Sequence, residues 1–352
     1  MTIPREIHLV GSVPLASAEE VLRTTSAILG THARKLPDGE TGARKNWINC
    51  QFRVLAEHPD FEPVGPPVDP ADLENESDGR GADYAFTPLR LRAGRLGQDL
   101  TFTGLGYAAH ALASYATFAT LKNAGTIQEG VRFQVALPTP LAPIAVFVVP
   151  ENLFAVYPRY LVALLGELDQ ILTAIPHGEL AIQWDIAVEL GLWEGLFPPP
   201  PGDWKPMLLD QMGDLGNHVP PEVQVGYHLC YGDRGHKHFT EPRDTANLVE
   251  IAQGLTARVT RSLDWIHLPV PRSRDDDAYF APLAGLALRP ETKLFLGLVH
   301  ATDGLAGARR RIAAAERVVS SFGIGTECGL GRRNPATIPD LLRLHVAAAT
   351  AD

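Results

Sequence analysis

At 352 residues the chain has room for one large domain or two ordinary ones, and its 45% apolar and 20% charged residues exclude a disordered or fibrous class. A formal net charge of −10 offers no basic stripe for a phosphate backbone, so nucleic acid is not an expected partner. Three cysteines, Cys50, Cys230 and Cys328, are too few and too odd in number for a disulfide scaffold, which leaves metal binding or burial.

In chain order, residues 1–30 carry Arg5, Glu19, Glu20 and Arg23 and no long apolar run. Neither a signal peptide nor a transmembrane span is expected, and the expected location is cytoplasmic. Short apolar runs then alternate with helix-length amphipathic stretches. Strands are predicted at 7–11, 34–38, 132–137, 180–185, 223–230, 265–269, 294–300 and 323–328. Helices are predicted near 17–29, 108–123, 153–174, 205–214, 244–257, 277–287, 304–321 and 337–349. Eight strands with helices between them argue for an α/β fold, a (β/α)8 TIM barrel in a single domain over 1–352. Residues 58–106, rich in Pro, Asp, Glu and Gly, break the rhythm and read as an insertion after the second strand, with a short hairpin within 89–102. The proline run of FPPPPGDWKP at 197–206 stiffens a second loop, after the fourth strand. Both segments would leave the barrel on its catalytic side, as lids or as surface decoration.

Several predicted strands end in polar residues: Ser12, Asp38 with Glu40, Asp185, His228 with Cys230, His267, His300 and Cys328. In a barrel those ends converge on the catalytic face. His228 and Cys230, two apart in VGYHLCYGD, project to one side of a strand, and Cys328 in GIGTECGLGRR supplies a second thiol from another strand end. Such a set suits zinc, although a core histidine and buried thiols are the plainer reading. Cys50 follows NWIN in a helix-like stretch and reads as core. His236 and His238 lie in the polar GDRGHKHF loop and read as solvent-exposed.

The motifs carry a resemblance. HLCY at 228–231, ECGLGRR at 327–333, VGSVP at 10–14, IQWD at 182–185 and DGE at 38–40 resemble segments of the catalytic barrel of cobalamin-independent methionine synthase. Its relatives are zinc-dependent thiol alkyltransferases that share the uroporphyrinogen-decarboxylase-like barrel. The resemblance spans most of the chain. It implies that His228, Cys230 and Cys328 are zinc ligands and that Ser12, Glu40 and Asp185 contact substrate. Aligning Asp264 and Arg272-Ser273 with the family pattern puts Pro269 where the family's fourth ligand, a glutamate, stands. His267, two residues earlier on the same face, is the candidate replacement; water or substrate is the alternative. The family's Asp-Glu-Pro is Asp185-Ile186-Ala187 here, and GLVHATDG at 297–304 replaces its Asp-x-His turn, so methionine formation from folate does not follow.

The implied reaction is methyl or alkyl transfer to or from a zinc-activated thiol, with a small-molecule thiol and an alkyl or methyl donor as partners. A free thiol with a pKa of about 8.5 is only a few per cent thiolate at neutral pH, and coordination deprotonates it. The leaving group needs an acid, for which His300 is the first candidate, Asp303 the second and His267 the third if it is not on the metal. Glu189 and Glu327 read either as a carboxylate pair or as partners of Arg332 and Arg333. RSRDDD at 272–277 reads as a solvated helix start, or as Arg272 or Arg274 binding a substrate carboxylate. A metal-independent barrel hydrolase using two of Glu40, Asp185, Glu189 and Glu327, with Trp47, Trp184, Trp193 and Trp265 stacking a sugar, is the alternative class. A catalytically inactive ligand-binding barrel is the third. No heptad run marks an interface, and a homodimer is only the default.

Overall fold

Buried apolar runs of this chain pair side by side. The computed structural model describes residues 4–65, 86–232 and 237–350. Its strands are β1 (Lys35–Pro37), β2 (Phe61–Pro63), β3 (Leu89–Leu91), β4 (Arg132–Pro138), β5 (Leu180–Ile186), β6 (Gln224–Leu229), β7 (Trp265–Pro269), β8 (Lys293–Gly297) and β9 (Gly323–Ile324). Seven of them form one parallel sheet in the order β1-β4-β5-β6-β7-β8-β9. Every residue of β5 and β7 is buried, as expected of parallel strands covered on both faces. The sheet curls, since Ile7 makes one parallel bridge to Ala33, next to β1, and another to Ile324 of β9.

Segment 7–11 was expected to be a regular strand and makes only isolated bridges. Its carbonyls are satisfied differently. Gln134 Nε2 of β4 donates to Leu9 O and Val10 O, both at 2.9 Å, and Gln183 Nε2 of β5 donates to Val10 O at 2.6 Å. Side chains thus replace part of a backbone ladder and meet the same hydrogen-bonding requirement. The predicted strand 323–328 likewise shortens to Gly323–Ile324, because Thr326 Oγ1 donates to Cys328 O at 2.7 Å in a turn.

The predicted helices near 17–29, 108–123, 153–174 and 244–257 are present as Ala18–Leu29, Tyr107–Asn123, Leu153–Ala174 and Ala246–Arg258. The first is capped by Ser17, whose side chain accepts from Glu20 N. The helix-like stretch around Cys50 is the helix Asn49–Ala56, whereas helices Leu141–Phe147 and Val188–Trp193 were not expected. LAPIAVF at 141–147 has the composition of a strand, yet Pro140 and Pro143 stand in and before a first turn, where no N–H is needed. The hairpin expected within 89–102 is instead an antiparallel pair of β2 and β3, with Phe61 opposite Leu91. No helix among the described residues is long and apolar enough to cross a membrane.

Candidate active site and metal centre

Parallel register brings the chemistry together. Asp185 of β5 pairs with His228 of β6, and His228 pairs with His267 of β7, so three polar residues stand at one level of adjacent strands. Cys230 follows β6 directly. Its Sγ lies 3.3 Å from Cys328 Sγ and accepts from Gly232 N at 3.2 Å. His228, Cys230 and Cys328 each offer a ligand atom within 4.8 Å of the others. The loop that carries Cys328 wraps Ser12: Leu330 N donates to Ser12 O at 2.7 Å, and Gly331 N to Ser12 Oγ at 3.2 Å. Only glycine fits there, since a Cβ on Gly329 or Gly331 would lie 2.2 or 2.9 Å from the Ser12 side chain.

The fit to a soft divalent metal can be judged from the donors. His228 is fully buried and its Nε2 has no hydrogen-bond partner, while its Nδ1 lies 2.8 Å from His267 Nδ1. Burial, followed by the neighbouring His267, pushes His228 well below the usual histidine range, so it stays a neutral ring with a lone pair to give. An orphaned imidazole nitrogen beside two thiols is the donor set zinc takes. His267, expected as a fourth ligand, does not join that group. Its Nδ1 is turned to the His228 ring, and burial lowers it to about 3. Cys50 is also apart, with Sγ 3.6 Å from Trp47 O and its thiol pushed up by burial.

His228, Cys230 and Cys328 line a cavity of about 470 Å³ together with Ser12, Glu40 and Asp185. Glu40 sits in left-handed backbone (φ 51°), and burial raises its carboxyl to about 7. Trp47 has the same uncommon backbone (φ 53°), and its side chain hydrogen-bonds Asp185. Burial and then the proximity of Glu40 push Asp185 well above its ordinary value. Two strained residues and two raised carboxyls in one cavity mark a site built for something other than stability.

His300 and Asp303 do not line this cavity. His300 is buried beside it, with Nε2 2.9 Å from Val270 O and Nδ1 3.4 Å from Glu327 Oε1. Asp303 receives Arg311 Nη1 and Nη2 at 2.7 and 2.9 Å, and those hydrogen bonds lower it. The residue that reaches the cavity is His238, whose side chain is only 5% exposed and whose Nε2 lies 3.0 Å from Glu327 Oε2. The polar sequence around it suggested exposure, and no local signal shows that its side chain is buried beside Glu327. His236 lies outside the described residues. Glu327 pairs with histidines rather than with Glu189, Arg332 or Arg333. Burial alone would raise it, but hydrogen bonds from His238 and His300 outweigh that and hold it well below the carboxylate range. Glu189 is fully buried and is not part of the lining. Of Trp47, Trp184, Trp193 and Trp265, only Trp47 lines the cavity. Arg274 pairs with Asp276 at 2.9 Å and Arg272 reaches Thr302 Oγ1 at 3.1 Å, both away from the main cavity.

No protein-family model matches the sequence, and no curated protein sequence matches it. Solved structures do. A B12-independent methionine synthase from Shewanella sp. W3-18-1, solved in complex with selenomethionine, superposes with a TM-score of 0.62 at 14% identity, over 99% of this chain and 97% of that one. A protein from Listeria monocytogenes assigned as a vitamin-B12-independent methionine synthase gives 0.55 at 14% identity, over 99% and 98%. A methyltransferase from Methanosarcina mazei gives 0.52 at 11% identity, over 99% and 94%. The overall fold is therefore that of the B12-independent methionine synthase-like structures.

Proposed function

We propose that this protein is a zinc-dependent transferase that moves a methyl or alkyl group to or from a small-molecule thiol. The observation that carries the reading is the convergence of Cys230 Sγ, Cys328 Sγ and a ring nitrogen of His228 in the cavity lining, with His228 Nε2 left without a hydrogen-bond partner. The methyltransferase and methionine synthase neighbours support it. In this reading the chain is a single-domain, cytoplasmic (β/α)8 barrel whose first stave is segment 7–11, with 58–106 inserted after the second.

Zinc held by His228, Cys230 and Cys328 would keep a bound substrate thiol as its thiolate. The chain's own residues do the rest. With His228 Nδ1 donating to His267 Nδ1, 2.8 Å away, Nε2 of His228 keeps its lone pair for the metal, which gives His267 a positioning role rather than a ligand's. Glu40 and Asp185, buried near one another, suit a substrate ammonium, whose charge would lower both carboxyls. Ser12 orders the Cys328 loop from the cavity wall. As the new carbon–sulfur bond forms and the donor's bond to carbon breaks, the leaving atom needs a proton. His238 is placed to give it, with Glu327 orienting its ring and His300 anchoring Glu327 from behind. Asp303 holds the first turn of helix Gly304–Glu316 through Arg311 and takes no part.

Elemental analysis of protein purified with zinc supplied tests this. About one zinc per chain is expected in the wild type and none in Cys328→Ala, with both giving the same far-ultraviolet circular dichroism. A wild type that holds no metal overturns the reading.

A further inference from the structure

Beyond its floor, the cavity is walled by Trp47, Phe86, Val146, Val188, Phe197 and Phe239. Three of these stand in the open at its rim: Val146 is 41% exposed, Phe197 44% and Phe239 41%. They come from separate places, the helix Leu141–Phe147, the loop after Val188–Trp193 and the loop beyond β6. Large apolar side chains left in water around one opening are costly unless something covers them, and each Phe gains about 1.5–3 kcal/mol on full burial. The polar side chains of the lining are the His228, Cys230 and Cys328 group with Ser12, Glu40, Asn49, Asp185, Lys237, His238 and Arg332. A volume of about 470 Å³ exceeds what a methyl group and a small thiol need.

We infer that the second substrate, the molecule that exchanges its alkyl group with the thiol, is mainly hydrocarbon, an alkyl or aryl electrophile seated between the Val146, Phe197 and Phe239 rim and the thiol-binding floor. This deepens the thiol-transfer reading and rests on it. During transfer the carbon that bonds to sulfur leaves its former partner with that bond's electron pair, and the partner takes a proton, so atoms and charge balance without a further reactant. The hydrocarbon body stays against the apolar wall throughout.

The test is calorimetric titration of the zinc-loaded protein with two homologous series, 1-alkanols and 1-alkanethiols from propyl to hexyl. Affinity in both series is expected to rise about fourfold per methylene, and to fall about tenfold for the hexyl members in Val146→Asp. Phe239→Ser, across the rim, serves the same purpose if the first variant does not fold. Affinity that stays flat with chain length, or a rise that neither rim variant changes, overturns the inference. The thiol-transfer reading is read separately, from the extra affinity of each thiol over the alcohol of equal length. If that difference is absent while the chain-length slope holds, the metal–thiol reading fails and the apolar site stands.

Discussion

His228 shows how much one ring depends on its neighbour. Its Nδ1 meets His267 Nδ1 at 2.8 Å, and two unprotonated nitrogens cannot share a hydrogen bond, so one ring must donate. If His228 donates, its Nε2 keeps the lone pair that a metal needs. His267→Leu removes the acceptor and should weaken zinc binding ten- to hundredfold, read by competition with a chelating dye while the fold is kept. Unchanged zinc affinity would show that the pair is packing alone. A second residue carries a pH signature. Glu189 is fully buried, its Oε2 has no hydrogen-bond partner, and burial raises it from 4.5 to about 7. Between those values the folded protein holds a proton that the unfolded chain has lost, so stability falls as pH rises through the window, with the full deficit above 7. Glu189→Gln should therefore be more stable than wild type at pH 8, by on the order of 2–3 kcal/mol in urea denaturation, and about equal to it near pH 4.5.

At the scale of elements, strand register decides which side chains meet. Gly226 of β6 lies opposite Trp265 of β7, and a Cβ at 226 would come within 2.1 Å of the indole. The indole packs with Ala181 and Phe295 in a buried cluster, and the Lys35 ammonium stacks on its face at 4.5 Å. Gly226→Ala should thus cost roughly 3 kcal/mol or more through overpacking. A lowered urea midpoint would show it, with part of the loss restored by a second change, Trp265→Leu. An unaltered midpoint would mean that the two strands shift apart freely, which the buried register between them argues against. The same register sets Asp185, His228 and His267 at one level, so a shift of β6 by one residue would take both His228 and Cys230 out of the site.

For the whole molecule, the readable part of the sequence was the part governed by local physics. The alternation of apolar runs with amphipathic stretches marked most strands and the long helices, because burial on two faces and a 3.6-residue period leave their pattern in any such chain. HLCY and ECGL marked the His228, Cys230 and Cys328 group that the structure brings within 4.8 Å, because residues two apart on a strand face the same side of it. Elsewhere the outcome depended on distant partners. Segment 7–11 lost its ladder to Gln134 and Gln183, which lie more than a hundred residues away. His238 left solvent for Glu327, and His267 turned to His228 instead of to the thiols. The sequence by itself determined the α/β pattern, the donor chemistry and the excess of negative charge, since these follow from residue type and spacing. Only the tertiary structure decided that the donors converge, which histidine reaches the cavity and that its rim is apolar, because each requires loops from separate strands to close on one another in space.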